Sequence, residues 1–121
     1  MAQSDQNNRI DYIELPVDAV GAAKEFYGQA FGWSFTDFGP GYASFEDGRL
    51  TGGFNAEAGQ KLPPLIIIYA RDLEASREAV MKAGGRIRDD IFDFPGGRRF
   101  HFFDPAGNVL AVWSDGPSKN A

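Results

Sequence analysis

The sequence predicts an α+β protein made of two βαβββ repeats, whose strands form a curved, cup-like mixed sheet with the helices outside. The first observation is an internal repeat, because the segments 17–32 and 70–85 align without a gap at a separation of 53 residues. The second is that each copy continues from a strand-like run into apolar residues at helical spacing. The third is that three short strand-like runs, separated by glycine-containing turns, follow each helix.

The first copy starts with "RIDYIELPV" (9–17), which reads as a strand. Asp18 is expected to cap the helix that follows, and Gly32 is expected to end it by adopting a positive φ. Three further strands are predicted in "WSFTDF", "GYASFE" and "RLTGGF".

The second copy has the same order of elements. "PLIIIYA" (64–70) predicts its first strand, Asp72 the helix cap, and Gly84 with Gly85 the helix end. The remaining strands are predicted in "RIRDDIF", "RRFHFF" and "NVLAVW". We therefore expect one domain over residues 9–115, with repeats at about 9–55 and 63–115, and flexible tails at 1–8 and 116–121.

Composition narrows the possible partners and compartment. The 121-residue chain contains no cysteine, which excludes disulfides and thiolate chemistry and is compatible with a reducing compartment. A formal net charge of −5 disfavours nucleic acid and anionic membranes, because binding to phosphates requires clustered Lys and Arg. The start of the chain lacks the apolar core of a secretory signal, and the longest aliphatic run is too short to span a bilayer. We therefore expect a cytoplasmic protein that binds neither nucleic acid nor membrane.

Three motifs carry a resemblance to a known family: "ELPV", "AAKEFYGQAFGW" and the turn "FFDPAGN" before the last strand. Together with the repeat, they resemble the vicinal oxygen chelate superfamily, which contains glyoxalases, bleomycin resistance proteins and extradiol dioxygenases. The resemblance covers residues 9–115 and implies the cup-like sheet and a homodimer. A pair of βαβββ units of the ferredoxin-like kind is the structural alternative.

Strand alternation predicts which side chains line the cup. Tyr12 and Glu14 fall on the side opposite the helix, and the repeat transfers this orientation to Ile67 and Tyr69 in the second copy. In the last strands, anchoring Gly48 on Gly107 places Gly52 over Ala111 and Phe54 over Trp113. We expect six residues to bind a ligand, with Arg99 at the rim of the cup: Tyr12, Phe54, Ile67, Tyr69, Arg99 and Trp113.

The resemblance also implies a metal site that this sequence does not match. Metal-using members of the superfamily resemble one another in placing His, Gln or Glu ligands on the first and fourth strands of each half. We assign the matching positions to Tyr12, Gly52, Leu65 and Ala111. Three of these four have no donor side chain, so we expect no cofactor, and a divalent metal is the disfavoured alternative.

Three polar groups are candidates for chemistry, and each has a simpler interpretation. Glu14 is either a solvated rim carboxylate or an acid inside the pocket. His101, the only histidine of the chain, is either a hydrogen-bonded structural residue or a general acid or base. Arg98 and Arg99 are either solvated at a strand start or a clamp for an anionic substrate.

These features support three function classes. The first is a protein that binds a small organic molecule in a metal-free aromatic cup. The alternative is a metal-dependent lyase, isomerase or dioxygenase related to lactoylglutathione lyase, in which Glu14 would move the proton. The third is an interaction module without a ligand. The sequence leaves open whether the chain is an enzyme.

Overall fold

The computed structural model describes residues 3–57 and 62–115, so the predicted tail at 116–121 lies outside the described residues. After a short 3-10 helix (Gln3–Gln6), the elements in chain order are β1 (Arg9–Pro16), α1 (Val20–Phe31), β2 (Ser34–Asp37), β3 (Tyr42–Glu46), β4 (Thr51–Asn55), β5 (Leu65–Tyr69), α2 (Leu73–Lys82), β6 (Arg86–Phe94), β7 (Gly97–Phe103) and β8 (Val109–Asp115). The α+β class and the two βαβββ repeats are therefore confirmed.

The chain divides into two compact units. The first unit is Tyr12–Leu65, and the second combines Met1–Asp11 with Ile66–Ala121. In the first unit the strand order is β2-β3-β4-β1, with β4 and β1 parallel and the other pairs antiparallel.

The second unit repeats this arrangement with the order β6-β7-β8-β5. Here β8 and β5 are the parallel pair, and the other pairs are antiparallel. The parallel pairing is possible because a helix crosses between the first and last strands of each repeat. The backbone N–H of Asn8 also donates to the carbonyl of Tyr69 at 2.7 Å within this unit.

Helix α1 begins without the predicted cap. Ala19 occupies the N-cap position in extended conformation, and no side chain accepts a hydrogen bond there. The assignment of Asp18 as the cap is therefore wrong by one residue, because the helix starts at Val20. The predicted end is observed, since Gly32 has a φ of +73°, its N–H donates to the carbonyl oxygen of Gly28, and the N–H of Trp33 donates to that of Tyr27.

Helix α2 has the cap that the sequence predicts. The Asp72 side chain accepts a hydrogen bond from the backbone N–H of Ala75 at 3.0 Å. Ala83 is the C-cap, and Gly84 follows it with a φ of +106°, a conformation that side chains of L-residues rarely adopt.

Each helix packs on one face of the sheet of its own unit. The buried core of the first unit consists of Val20, Ala43, Phe45 and Phe54. That of the second unit consists of Ala70, Leu73, Phe100, Phe102 and Val112. Because side chains alternate along a strand, the neighbours of these core residues lie on the opposite sheet surface, which we call the far face of each unit.

Within the described part of the chain, neither helix is long and apolar enough to cross a bilayer.

Candidate functional site

The far face of the second unit is built from four adjacent strands. Tyr69 on β5 lies beside Trp113 on β8, which lies beside Arg99 on β7. The next row places Ile67, Ala111 and His101 side by side. Pairing therefore brings five of the predicted site residues onto one surface, where Ile67, Tyr69 and Ala111 are buried and Arg99, His101 and Trp113 are partly exposed.

Trp113 is fixed by one hydrogen bond and two ring contacts. Its indole Nε1 donates to Asp11 Oδ1 at 3.1 Å. The ring of Tyr69 meets it edge-on with centroids 5.3 Å apart, and the ring of Phe94 is tilted against it at 6.2 Å. These contacts orient the indole while leaving part of its surface exposed.

The hydroxyl of Tyr69 donates to Asp115 Oδ1 at 2.5 Å. Burial raises the pKa of Tyr69 to about 12, and the bond to Asp115 adds to this shift. Tyr69 therefore stays protonated at neutral pH.

Arg99 lies between aromatic rings instead of pairing with a carboxylate. Its guanidinium carbon is 5.4 Å from the ring centroid of Phe92 and 5.5 Å from that of Phe94. Its Nε atom is buried and has no hydrogen-bond partner. Among residues 3–57 and 62–115, no carboxylate forms an ion pair with Arg99.

The neighbouring position, Arg98, points to the other side of the sheet. It is 9% exposed and forms a two-pronged ion pair with Glu74 of α2, at 2.7 and 3.0 Å. Of the two arginines that the sequence offered as an anion clamp, only Arg99 is therefore on the far face. The reason is strand alternation, which sends adjacent residues to opposite faces.

His101 forms a pair with Asp89 on the adjacent strand. The distance from Nδ1 to Asp89 Oδ2 is 2.9 Å, and Arg88 donates to the same carboxylate oxygen at 2.6 Å. Burial, followed by the nearby positive charge of Arg99, lowers the pKa of His101. Burial alone would raise the pKa of Asp89, but its bonds with Arg88 and His101 outweigh this effect and hold the pKa below 3.8.

These shifts determine the protonation of the pair at neutral pH. Asp89 is ionised and can only accept, so the neutral imidazole carries its proton on Nδ1 and donates it to Asp89. The other ring nitrogen, Nε2, is then an acceptor. It is buried and lacks a partner.

The far face of the first unit carries a separate polar cluster. Tyr42 donates from its hydroxyl to Glu14 Oε2 at 3.4 Å, and Asn55 Nδ2 donates to Glu14 Oε1 at 3.3 Å. The hydroxyls of Tyr12 and Tyr42 are hydrogen-bonded to each other. Since Tyr42 has one proton and gives it to Glu14, Tyr12 is the donor in this pair. The cluster places Tyr12 and Glu14 together, as the sequence suggested, and adds Tyr42 and Asn55.

Gly53 makes room for this cluster. A Cβ atom at position 53 would lie 1.9 Å from the hydroxyl oxygen of Tyr42 and 2.5 Å from that of Tyr12. Burial and the contact with Tyr12 raise the pKa of Tyr42, so this phenol remains protonated.

The structure corrects the predicted position of Phe54. This side chain is fully buried on the helix side, with its ring 5.4 Å from Tyr27 and 5.0 Å from Phe45. It is therefore a core residue and not part of a binding surface.

The same correction applies to Gly52, which lies over the ring of Phe45 on the helix side. Glu14 pairs with Gly53 as Ile67 pairs with Ala111, so Gly53 is the counterpart of Ala111. The anchor on the turn glycines was one residue out of register, and a shift of one residue exchanges the faces.

The corrected positions do not fit a metal ion. Gly53, Leu65 and Ala111 have no donor atoms in their side chains, and the hydroxyl of Tyr12 is already bonded to Tyr42. A divalent ion needs several nitrogen or oxygen ligands. Among the described residues, no group of three or more His, Cys, Asp or Glu side chains is arranged to hold one.

Sequence reasoning missed several partners of the site residues. Asp11, Asp89, Phe92 and Phe94 are not among the candidate residues named from the sequence. The strand "RIRDDIF" did contain a signal for Asp89. Alternation places one of its two aspartates on the same sheet face as His101 of the adjacent strand. Tyr42 had no such signal, because 30 residues separate it from Tyr12.

Comparison with known proteins identifies the family. The sequence profile of the Glyoxalase/Bleomycin resistance protein/Dioxygenase superfamily matches residues 9–112. The chain belongs to this superfamily. Among relatives, a glyoxylase-like domain-containing protein of Didymella fabae is 30% identical over 122 residues, which cover 88% of this chain and 93% of that protein.

Three further relatives are longer than this chain. The anthracycline biosynthesis protein DnrV of Streptomyces peucetius is 31% identical, over 91% of this chain and 48% of its own length. Two mycobacterial relatives are 27% identical, and the match covers 44% of their length. The chain thus spans about half the length of these relatives. The Mn(II)-bound glyoxalase from Novosphingobium aromaticivorans shares the fold, with a TM-score of 0.65 and 24% identity over 91% of this chain and 40% of that one.

Proposed function

We propose that this member of the glyoxalase superfamily binds a small organic molecule on the far face of its second unit, without a metal ion. Trp113 and Arg99 are the main contacts in this proposal. The observation that carries it is the unpaired guanidinium of Arg99, held between Phe92 and Phe94 beside the partly exposed indole of Trp113.

The composition of this surface supports small-molecule binding. Binding sites for small molecules combine aromatic walls with a few polar groups that lack partners in the protein. Arg99 Nε and His101 Nε2 are two such groups, and both are buried. A buried polar group without a hydrogen bond lowers stability, so a ligand that supplies the missing bonds would be favoured.

Two further observations agree with this proposal. Three of the four family positions, Gly53, Leu65 and Ala111, have no donor side chain, which argues against the lyase or dioxygenase chemistry that needs a metal. DnrV, a relative at 31% identity, is named for anthracycline biosynthesis. Aromatic ligands would suit a surface lined by Trp113, Phe92 and Phe94.

Tryptophan fluorescence tests the proposal. The chain has two tryptophans, and Trp33 stacks on Tyr27 and Phe45 in the helix-side core of the first unit. Titration of a library of small aromatic compounds should change the emission of the wild type and of a Trp33→Phe variant. The change should disappear in Trp113→Phe, the matched variant. If no compound alters the emission of Trp33→Phe at millimolar concentration, the proposal is wrong.

One observation favours proton transfer as a second candidate function. The Asp89–His101 pair leaves the lone pair of Nε2 unprotonated at neutral pH, near the cation Arg99, and a lone pair beside a cation suits removal of a proton next to a carbonyl group. Deuterium exchange into phenylpyruvate, followed by proton NMR in D2O, tests this. A His101→Gln variant should lose any exchange above the buffer rate, and equal exchange in both proteins would remove this candidate.

We also propose that the chain forms a homodimer, as the family resemblance implies. Sedimentation equilibrium should give twice the chain mass of 13.2 kDa. A mass of one chain at micromolar concentration would contradict it.

A further inference from the structure

We propose that the far face of the second unit selects planar aromatic acids that also carry a hydroxyl group. In this assignment the carboxylate binds Arg99 and the hydroxyl donates to Nε2 of His101. The inference rests on the proposed function and deepens it, because it names the chemical class of the ligand.

Arg99 favours an anionic ligand because its guanidinium is a cation without a counter-ion among the described residues. Arg77, Arg88 and Arg98 each form an ion pair, with Asp90, Asp89 and Glu74. Arg99 has none among the described residues, and its Nε is out of contact with solvent. A guanidinium presents parallel N–H groups that match the two oxygens of a carboxylate, and such bonds are stronger than neutral ones.

The surroundings of Arg99 define the shape of the ligand. Phe92 and Phe94 hold the guanidinium in place and reduce its contact with water, which strengthens its attraction for an anion. Trp113 contacts Phe94 and pairs in register with Arg99 on the adjacent strand. A flat ring attached to the carboxylate would therefore meet the indole, so aromatic acids are favoured over aliphatic ones.

His101 favours a ligand that also carries a hydrogen-bond donor. Because Nδ1 gives its proton to Asp89, Nε2 offers only a lone pair. Arg99 lies near enough for its charge to lower the pKa of His101, so the ring resists a second proton. A second carboxylate at Nε2 would bring two acceptors together, whereas a hydroxyl would satisfy the nitrogen.

The spacing of the two residues sets the distance between the two ligand groups. Arg99 and His101 are two positions apart on one face of β7, which corresponds to about 6.6 Å along a strand. A benzene ring holds a carboxylate and a para hydroxyl at a comparable separation. 4-Hydroxybenzoate is therefore the probe, and benzoate and 4-hydroxybenzamide each lack one of the two groups.

Isothermal titration calorimetry of the full chain with these three compounds tests the inference. We expect 4-hydroxybenzoate to bind most tightly. 4-Hydroxybenzamide should bind about tenfold more weakly because the charged interaction with Arg99 is lost, and benzoate about fivefold more weakly because the bond to His101 is lost.

Two variants and one control assign these differences to residues. In Arg99→Gln, 4-hydroxybenzoate should bind no better than 4-hydroxybenzamide. In His101→Phe, 4-hydroxybenzoate and benzoate should become equal. Arg86→Gln is the matched control, because Arg86 also lies over an aromatic ring, that of Phe103 at 4.8 Å, and should leave all three affinities unchanged.

The outcomes separate this inference from the proposed function. Equal affinity for the acid and the amide, unaffected by Arg99→Gln, would overturn the inference while leaving small-molecule binding intact. Absence of binding by all three probes, in a protein whose Trp113 responds to other aromatic compounds, would also overturn the inference alone. Absence of any response from Trp113 would overturn both.

Discussion

His101 should bind its second proton at unusually low pH. Its pKa is lowered from 6.5 by burial and by the charge of Arg99, and only Asp89 opposes this. Because it is the only histidine, its imidazole proton resonances can be followed by NMR without assignment. We expect a titration midpoint below 6.5, and a still lower midpoint in Asp89→Asn, which removes the group that raises the pKa of His101.

The same shift predicts a pH-dependent stability. The unfolded chain takes up the proton of His101 as pH falls through about 6.5, whereas the folded protein resists it to lower pH. The free energy of unfolding should therefore decrease between pH 7.5 and 5.5, where ionised Asp89 does not titrate. Urea unfolding should show a smaller decrease in His101→Gln. An equal decrease in the two proteins would show that His101 does not cause it.

Gly53 is the second residue with a specific structural requirement. An alanine Cβ at this position would overlap the hydroxyl of Tyr42, so Gly53→Ala should lower the free energy of unfolding by about 1–3 kcal/mol. Gly21→Ala is the control, because a Cβ at this helical position meets nothing within 4 Å, and it should raise stability by about 0.5–1 kcal/mol. Chemical denaturation measures both changes. If Gly53→Ala costs as much in a Tyr42→Phe background, the overlap with that hydroxyl is not the cause.

At the scale of elements, the two helices of the repeat differ at their N-termini. Asp72 accepts the bond from Ala75 that caps α2, whereas no side chain caps α1. Asp72→Ala should therefore lower the free energy of unfolding by about 1 kcal/mol. Asp18→Ala, the matched substitution one residue before the first N-cap, should change it by much less. Equal losses in urea denaturation would contradict this difference.

The sequence predicted the elements well because their signals are local. Alternating runs, helical spacing and turn glycines are read over a few residues, and all eight strands and both helices were found at the expected places. The register between strands has no such local signal, because it depends on pairing between strands that are distant in the sequence. The backbone N–H of Val17 donates to the carbonyl of Asn55 as that of Ala70 donates to Trp113, which makes Asn55 the counterpart of Trp113.

This one-residue error explains why part of the site was predicted and part was not. It assigned Phe54 to the wrong face, whereas the gap-free alignment of the two repeats was enough to assign Ile67 and Tyr69 to the far face. The contacts that define the chemistry of the site residues come from other strands. Asp89, for example, reaches His101 across a β6–β7 pairing whose register shifts at irregular points, and such shifts have no clear sequence signal.

At the scale of the whole molecule, the chain should not require a metal ion. The protein purified without chelator should contain less than one equivalent of Zn, Ni, Fe and Mn together by elemental analysis. Adding these ions should not raise the melting temperature, because a ligand stabilises only the state that binds it. Stoichiometric metal, or a melting temperature that rises with metal concentration, would show that donors other than the family positions form a site.

The contact of Gly53 with two tyrosines also restricts how this protein can evolve. A metal-binding ancestor or descendant would need a donor side chain at the counterpart of Ala111 in the first repeat, which is position 53. Any side chain there collides with the hydroxyl groups of Tyr42 and Tyr12, so the donor cannot be gained by one substitution without loss of stability. The tyrosines would have to change first, and loss of the Tyr42 hydroxyl would remove one of the two side chains that donate to Glu14, leaving Asn55. As long as both tyrosines are present, natural selection and directed evolution can reach metal-free variants by single substitutions more easily than variants with a metal donor at position 53.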